Sequence, residues 1–310
     1  MAYPEREYRQ RISLGQGNNA LTMLIIVNLV VFVLLQLIKV FFYFIYSEDG
    51  RAIEVYENNV LKWFTLPADL GELASRPWTV ITHMFTHDGV WHILGNTLWL
   101  WAFGYILQDL TGNKKIFPLF IYGGLAGALA FLGAYNLLPG FESKLPVSVA
   151  LGASAGIMAI AVSTTMISPG YRIFPMLNGG IPLWVITVLY LIVDLAMIPY
   201  DNPGGHIAHL GGAAMGFFFI VLLRRGYDWS DWMNNFFDWV NNLFNPDKPK
   251  KGRTIKEELF YRSETKPYKK TPNITQQRVD DILDKINQKG YHYLTEEEKE
   301  LLKRASQEDL

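Results

Sequence analysis

The stretch LGASAGIMAI places a single hydroxyl, that of Ser154, among very small residues. Ser154 is flanked on each side by an alanine and a glycine, and the surrounding residues are apolar enough to lie in a membrane. Such a serine can pack between helices that approach closely through small residues. It can also be a nucleophile, provided that a neighbouring base takes its proton.

A histidine in another apolar stretch could supply that base. His209 is the candidate, and it would later return the proton to the leaving amine. Ionisable groups buried in a membrane are costly and usually functional. His206 lies three residues earlier and competes for the role, but only His209 is followed by glycines at its third and seventh positions, Gly212 and Gly216. We therefore assign the base to His209 and expect His206 to line the mouth of the site.

The elements that carry these residues are apolar. Half of the 310 residues are hydrophobic and 18% are charged, and the charges are concentrated after residue 226. This asymmetry predicts a membrane body followed by a soluble tail. The absence of cysteine excludes disulfides, thiol catalysis and cysteine metal sites, and the net charge of -1 gives no indication of nucleic-acid binding.

Six hydrophobic segments have about the 20 residues that a bilayer-spanning helix needs. Only helices satisfy their own backbone in lipid, so we predict six transmembrane helices. The first segment lacks a cleavage site and is too long for a signal-peptide core, so we expect it to be retained. The segments cover residues 20–46, 91–111, 116–138, 147–168, 181–199 and 206–223.

The basic residues orient these segments. With six spans, one side carries Arg6, Arg9, Arg11, Lys114, Lys115, Arg172, Arg224 and Arg225. We therefore expect an integral protein of the bacterial inner membrane with both termini in the cytoplasm. Spans two, four and six then run from the outside to the inside.

That shared direction places three polar residues at one depth. Near the inner ends of spans two, four and six, Asn96 precedes Asp109 by 13 residues, Ser154 precedes Ser168 by 14 and His209 precedes Arg224 by 15, or about 20–22 Å. In a hydrocarbon core about 30 Å thick, this level lies roughly 8–10 Å below the outer surface. Glycines four residues apart in the third, fourth and sixth spans would let the helices approach closely.

These motifs resemble those of the rhomboid family of intramembrane serine proteases. GASAG is similar to the family's G-x-S-G motif, AHLGGAAMG fits A-H-x-x-G-x-x-x-G on the sixth helix, and HILGN fits H-x-x-x-N on the second. The segment RPWTVITHMFTHDGVWH is similar to the one that enters the second helix. The resemblance covers about residues 20–225. It implies an all-α polytopic membrane protein, a six-transmembrane-helix rhomboid bundle, here with a cytoplasmic helical tail.

The resemblance also implies an activity, that of a serine endopeptidase cutting transmembrane segments near the outer face with a Ser154–His209 dyad. The oxyanion would be met by Asn96, by the His92 side chain and by the Ser154 backbone N–H. The substrates would be single-span membrane proteins, cut where small residues destabilise the helix. No metal and no cofactor are expected.

Two positions depart from the family pattern. Ala155 replaces the motif's last glycine and is expected to narrow the pocket for the substrate residue before the cut. Met158 stands where the family often has an aromatic residue that supports the histidine ring, although methionine can also touch a ring. No acidic residue is obviously placed to orient His209. Asp194, in the fifth span, is the nearest candidate, and we favour a structural role for it.

The connection from 47 to 90 is long, and its apolar segment ENNVLKWFTLP predicts a position in the outer membrane interface. A small folded cap on the outer surface is the alternative. His83 and His87 within it are four residues apart. They lack an H-E-x-x-H pattern and an evident third ligand, so we interpret them as interfacial or loop-packing histidines.

The sequence thus divides into five regions. They are a cytoplasmic N-terminal segment (1–19), a membrane domain (20–225), an amphipathic interfacial helix (226–245), a basic linker (246–274) and a cytoplasmic helical hairpin (275–310). Thr295 and Glu298 form a capping box in the last region. The partners we expect are the lipid bilayer and membrane-protein substrates, with no nucleic acid. The tail's partner is unknown.

Two other functions remain open. A rhomboid-like pseudoprotease would bind membrane proteins without cleaving them, but the serine, the histidine and the oxyanion residues are all present. A small-solute transporter would line a pathway with its intramembrane polar residues. The spans, however, lack visible inverted-repeat similarity and paired broken helices.

Overall fold

The computed structural model describes residues 19–46, 50–173, 179–243 and 276–306, and it is mainly helical. The chain forms two compact units, Met1–Phe244 and Asn245–Leu310. The predicted linker 246–274 and nearly all of the predicted segment 1–19 lie outside the described residues.

The helices of the first unit include one at each of the six predicted spans. In chain order the helices are α1 (Ala20–Tyr46), α2 (Ala52–Asn59), α3 (Leu70–Ser75), α4 (Thr79–Thr82), α5 (Val90–Thr111), α6 (Ile116–Leu137), α7 (Ser154–Ile167), α8 (Leu183–Met197), α9 (Pro203–Arg224) and α10 (Ser230–Leu243). The strands are β1 (Leu66–Pro67), β2 (Val149–Ala150), β3 (Arg172–Ile173) and β4 (Ile181–Pro182), paired antiparallel as β1–β2 and β3–β4.

Among the residues that the structure describes, three stretches are long and apolar enough to cross a membrane: Ala20–Tyr46, Asn113–Leu137 and Pro203–Arg224. Helices α7 and α8 are apolar but shorter, with 14 and 15 residues. The count of six spans therefore stays a prediction.

Helix α7 lies at the centre of the first unit, against α5, α6 and α9. Its residues from Ala155 to Thr164 are all buried. The contacts depend on glycines of the neighbouring helices. A Cβ added to Gly212 or Gly216 of α9 would lie 2.1 or 2.3 Å from a carbonyl oxygen of α7, and one added to Gly123 of α6 would lie 2.4 Å from Ala159 Cβ. Small residues therefore set how closely α7 and its neighbours approach.

The predicted start of the fourth span at residue 147 is wrong, because α7 begins only at Ser154. Residues 149–150 are extended and pair with β1 through Leu66–Ala150 and Pro67–Val149. Gly152 then has a φ of 115°, which is incompatible with a right-handed helix. The chain enters the helix only after this turn, so Ser154 stands at a helix end.

Helix α6 begins at the end of the unit where α7 and α9 end. Lys115, just before α6, forms an ion pair with Asp228, shortly after α9. Arg224, at the end of α9, donates a hydrogen bond to the carbonyl oxygen of Met166, near the end of α7. Helix α6 is therefore antiparallel to α7 and α9, and basic residues gather at this end.

The segment between α1 and α5 is folded and packs on α1 and α6, and we call it the cap. Tyr56 of α2 is fully buried and packs with Leu35 of α1. Leu66 of β1 packs with Phe131 and Tyr135 of α6. The location of this cap relative to the membrane interface stays a prediction.

Helix α10 follows the membrane-domain helices and contacts α6. Trp232 Nε1 donates to the Tyr122 hydroxyl, and the Phe237 ring meets Phe117 edge-on at 4.9 Å. Met233 is buried, but the side chains of Trp232 and Trp239 are mostly exposed.

The second unit contains the predicted helical hairpin, formed by α11 (Gln276–Lys289) and α12 (Glu296–Ala305). Ile282, Leu294 and Leu301 form its small core. The predicted capping box is present, because Thr295 N donates to Glu298 Oε2 at 2.8 Å and Glu298 N donates to Thr295 Oγ1 at 3.3 Å.

Candidate functional site

Ser154 is the first residue of α7, where a helix leaves its first N–H groups without intrahelical partners. The turn before it is held by the segment that precedes α5. Gly152 N donates to the His83 carbonyl oxygen at 2.8 Å, and Ala153 N donates to His87 Nε2 at 3.3 Å. These hydrogen bonds fix the turn that presents the Ser154 hydroxyl.

His83 and His87 are loop-packing histidines, one of the two interpretations that the sequence left open. Both are buried, and His83 Nδ1 lies 2.9 Å from the Thr79 carbonyl oxygen. Burial lowers the pKa of His83 to about 4 and that of His87 to about 3. The His87 ring is therefore neutral near pH 7, and its Nε2 keeps the lone pair that accepts from Ala153.

Ser154 lines a cavity of about 310 Å³ together with His92, Ala155 and Ala208. A Cβ added to Gly152 would lie 2.8 Å from His92 Nε2 and 3.7 Å from Ser154 Oγ. Only glycine leaves room between these two groups. The candidate nucleophile and one predicted oxyanion donor therefore face the same space.

Asn96 lies one turn after His92 on α5 and is buried. Its Nδ2 has no hydrogen-bond partner among the residues that the structure describes. Because buried donors are nearly always paired, this amide is a donor available for an incoming oxygen.

His209 lies in the second turn of α9, and its Nδ1 is 2.8 Å from Asp194 Oδ1 of α8. The Asp194 side chain is only 2% exposed, so water screens this contact little. With Nδ1 donating to the carboxylate, Nε2 is the basic nitrogen of the ring. The sequence analysis named Asp194 as the nearest candidate for an acid that orients His209 but favoured a structural role. In the structure its carboxylate does contact His209 Nδ1.

His206 also contacts Asp194, and its predicted place at the mouth of the site stays a prediction. Its Nδ1 lies 2.6 Å from Asp194 Oδ1, the oxygen that His209 also contacts. The one carboxylate therefore joins two rings that lie three residues apart on α9.

An aromatic ring does flank His209, although it comes from another helix. Tyr190 of α8 meets the imidazole edge-on, with the ring centroids 6.3 Å apart. Met158, at the position where the family often has an aromatic residue, is fully buried in the same hydrophobic cluster as Tyr190.

Helix α9 packs on the first turn of α7 at Gly212, one turn after His209. A Cβ there would lie 2.1 Å from the Ala155 carbonyl oxygen. Across the described parts of the chain, no hydrogen bond joins Ser154 to His209, and such bonds often tighten only when substrate binds. The pairing of these two residues therefore stays a proposal.

The sequence did not predict the contacts of two site residues. It favoured a structural role for Asp194 and did not single out Tyr190. Neither belongs to a recognisable motif, and both reach His209 only through the packing of α8 on α9. Of the two, only Asp194 could have been recognised from the sequence. A carboxylate within an apolar span costs free energy to bury and usually pairs with another buried group.

Two parts of the chain match models of known protein families. Residues 74–226 match the model of the Rhomboid domain. Residues 266–308 match a second model, described as a family of unknown function, DUF6576.

Three curated relatives are 25–28% identical to parts of this chain. Rhomboid protein 1, mitochondrial, of Saccharomyces cerevisiae is 28% identical over 44% of this chain and 39% of its own length. RHOMBOID-like protein 12, mitochondrial, of Arabidopsis thaliana is 26% identical over 49% and 48%. Rhomboid protease GluP of Bacillus subtilis is 25% identical over 46% and 25%. The chain spans less than half of the length of these three relatives.

Proposed function

The chain belongs to the rhomboid family, and from that premise we propose that it is an intramembrane serine endopeptidase. The observation that supports this most is the packing of α9 on the first turn of α7. Gly212 lies against Ala155, and His209 lies one turn earlier on the same face of α9. This arrangement supports the pairing of His209 with Ser154 that we propose.

In the proposed first step, His209 Nε2 takes the proton of Ser154 Oγ while Oγ attacks the substrate carbonyl carbon. The carbonyl oxygen becomes an oxyanion. Its donors are the Ser154 backbone N–H, the His92 ring and the Asn96 amide. Two features favour this assignment: His92 lines the cavity beside Ser154, and Asn96 Nδ2 is a buried donor without a partner in the described chain.

The intermediate then collapses, and His209 passes its proton to the leaving amine as the C–N bond breaks. Water attacks the resulting acyl-serine ester with His209 again acting as base, and Ser154 is regenerated. Asp194 acts through His209 in both halves of the reaction. It holds the ring with Nε2 free and stabilises the imidazolium that forms.

The substrates in this proposal are single-span membrane proteins, cut near the outer end of the span where small residues weaken the helix. Ala155 lines the cavity, so its methyl group reduces the space for the substrate residue before the cut.

The protein is an integral membrane protein of this family. We further propose that both termini are cytoplasmic, because the basic residues at the shared end of α6 and α9 belong on the cytoplasmic side. The relatives include mitochondrial and chloroplastic proteins, so the bacterial inner membrane stays a prediction from the sequence.

The deciding experiment is cleavage of a model single-span substrate by the purified full chain in liposomes, with the cut located by mass spectrometry. We expect cleavage within the outer third of the span, and none by the Ser154→Ala variant. An intact substrate under conditions where the protein is folded would contradict the proposal.

Labelling with a fluorophosphonate separates this function from its alternatives. An activated Ser154 should be labelled in the unaltered protein and not in Ser154→Ala. Substrate capture without labelling or cleavage would indicate a pseudoprotease. Solute flux into liposomes without proteolysis would indicate a transporter.

A further inference from the structure

Asp194 has more contacts than the proposed reaction uses. Its Oδ1 contacts His206 Nδ1 at 2.6 Å and His209 Nδ1 at 2.8 Å. Its Oδ2 is buried and has no hydrogen-bond partner within the described ranges. The reaction needs one of the two rings and one carboxylate oxygen, so His206 and Oδ2 are left without a role.

The three side chains form a set of converging donors. One donor atom from each of Asp194, His206 and His209 lies within 4.8 Å of the others. Two imidazole nitrogens and a carboxylate oxygen are ligands that zinc takes at about 2.0–2.2 Å. Ligands at that distance from one ion are about 3.3 Å apart, so Nδ1 and Oδ1 would have to separate by only a fraction of an ångström.

An ion could also reach these donors. The His206 and His209 side chains are 18% and 16% exposed, whereas the carboxylate behind them is buried. Three protein ligands leave the fourth coordination position of the ion open to water, as in zinc sites where water or substrate takes that position.

We propose that Asp194, His206 and His209 bind a divalent transition-metal ion of the zinc class, and that its binding inhibits proteolysis. The inhibition rests on the proposed function, but the binding does not. A neutral imidazole whose Nδ1 ligates a metal carries its single hydrogen on Nε2. His209 Nε2 then has no lone pair for the Ser154 proton, and the base is lost.

The donor set also predicts selectivity. Imidazole nitrogens favour zinc and its neighbours in the first transition row, whereas Mg²⁺ and Ca²⁺ prefer oxygen ligands. Mg²⁺ in large excess should therefore neither bind here nor displace zinc.

Binding is measured on the full chain, without an affinity tag, in its Ser154→Ala form so that self-cleavage cannot interfere. Zn²⁺ is followed by calorimetry and Co²⁺ by its visible absorption bands. We expect one ion per chain with a spectrum of nitrogen and oxygen ligation. His206→Ala should lower the affinity by about tenfold or more, since a lost ligand should cost at least as much as a lost outer partner.

His292→Ala, which removes a histidine of the second unit, is the matched control and should bind zinc normally. Asp194→Asn is a second test of the ligand set, with thermal melting recorded because it changes a buried carboxylate. Unchanged zinc affinity in a folded His206→Ala protein would overturn the site and direct attention to the adjacent His87 and His92 rings, whose centroids are 5.0 Å apart. An unaltered chain that gives no ligand-field spectrum with Co²⁺ would overturn it as well.

Inhibition is measured on the active protein as the ratio of cleavage rates without and with zinc, within each variant. The ratio should be large for the unaltered chain, return to one on chelation, and fall toward one in His206→Ala. Zinc binding with an unchanged cleavage rate would refute the inhibition. Zinc binding by a protein that cleaves nothing would still support the site while contradicting the protease activity.

Discussion

Ser154 can act as a nucleophile only if His209 is held in position to take its proton. His209 is held on two sides, by the Asp194 carboxylate at Nδ1 and by the edge of the Tyr190 ring. Both contacts restrict the imidazole, and Nε2 has no hydrogen-bond partner among the described residues. A residue held in this way loses little freedom when it takes a proton, which favours its assignment as the base.

Ser154→Ala and His209→Ala should each lower cleavage by at least about a thousandfold. A nucleophile and its base act as a unit, so the double variant should be no worse than either single variant. Rates are measured on the model substrate, with circular dichroism to show that each variant is folded.

The His206→Ala variant is the control for these substitutions. It removes the neighbouring ring from Asp194 and should keep measurable cleavage. Activity in a single Ser154 or His209 variant would reject the dyad, and a dead His206→Ala beside an active His209→Ala would reverse the choice of histidine.

Asn96→Ala should lower the rate at saturating substrate by about 100- to 1000-fold, with a smaller effect on KM. The reason is that the amide donates its bond only to the oxyanion, so the transition state gains more than the bound substrate. Full kinetic curves separate the two parameters. A change in KM alone would count against this role.

The sequence motifs could single out Ser154, His92, Asn96 and His209 as candidates, because each lies at a fixed spacing from small or polar neighbours. They could not predict the contact of His209 with Asp194 and Tyr190. Those residues lie on α8, and only the rotation of α8 about its own axis decides which of its side chains face α9.

Helices α7 and α9 pack without spare room at Gly212. Gly212 faces the Ala155 carbonyl oxygen with no room for another carbon atom. A methyl group there must push α9 away from the first turn of α7, which would also carry His209 away from Ser154.

Gly212→Ala should destabilise the protein by about 1–3 kcal/mol through overpacking and lower its cleavage rate. Gly133→Ala is the matched control, because it too is a helical glycine, in α6, and a Cβ there would meet nothing within 4 Å. That variant should be unchanged or up to about 1 kcal/mol more stable. Thermal melting and cleavage are recorded for both, and equal behaviour would contradict the packing argument.

Helix α10 is proposed to lie along the cytoplasmic membrane surface. Its Trp232 and Trp239 are mostly exposed, and tryptophan favours the headgroup level. We expect a shallow lipid-borne quencher to reduce the fluorescence of Trp239 in liposomes, with the other tryptophans replaced by phenylalanine. Unquenched fluorescence would mean that the exposed ring meets another part of the chain or a partner.

Over the whole molecule, two units divide the chain, and every residue of the proposed site belongs to the first. The described hairpin of the second unit has its own small core around Ile282. The order and type of the main helices could be predicted from hydropathy alone. The start of α7 could not, because it depends on β2 pairing with a strand more than 80 residues earlier.

Truncation after residue 245 should leave cleavage of the model substrate within about twofold of the full chain. It removes the second unit and keeps α10 with its contacts to α6. Rates are compared in detergent and in liposomes. A folded but inactive truncated protein would assign the second unit a part in catalysis.

The spacing of the α9 glycines has a consequence for how such a chain can diverge. Gly212 and Gly216 are four residues apart, as are Ala155 and Ala159, whose carbonyl oxygens they face. Sliding either helix by one residue would bring a side chain into a gap that holds only hydrogen. The height of His209 relative to Ser154 is therefore set by helix pitch and not by the lengths of the connections. Insertions and deletions in those connections can accumulate over evolutionary time while the register of α9 on α7 stays the same.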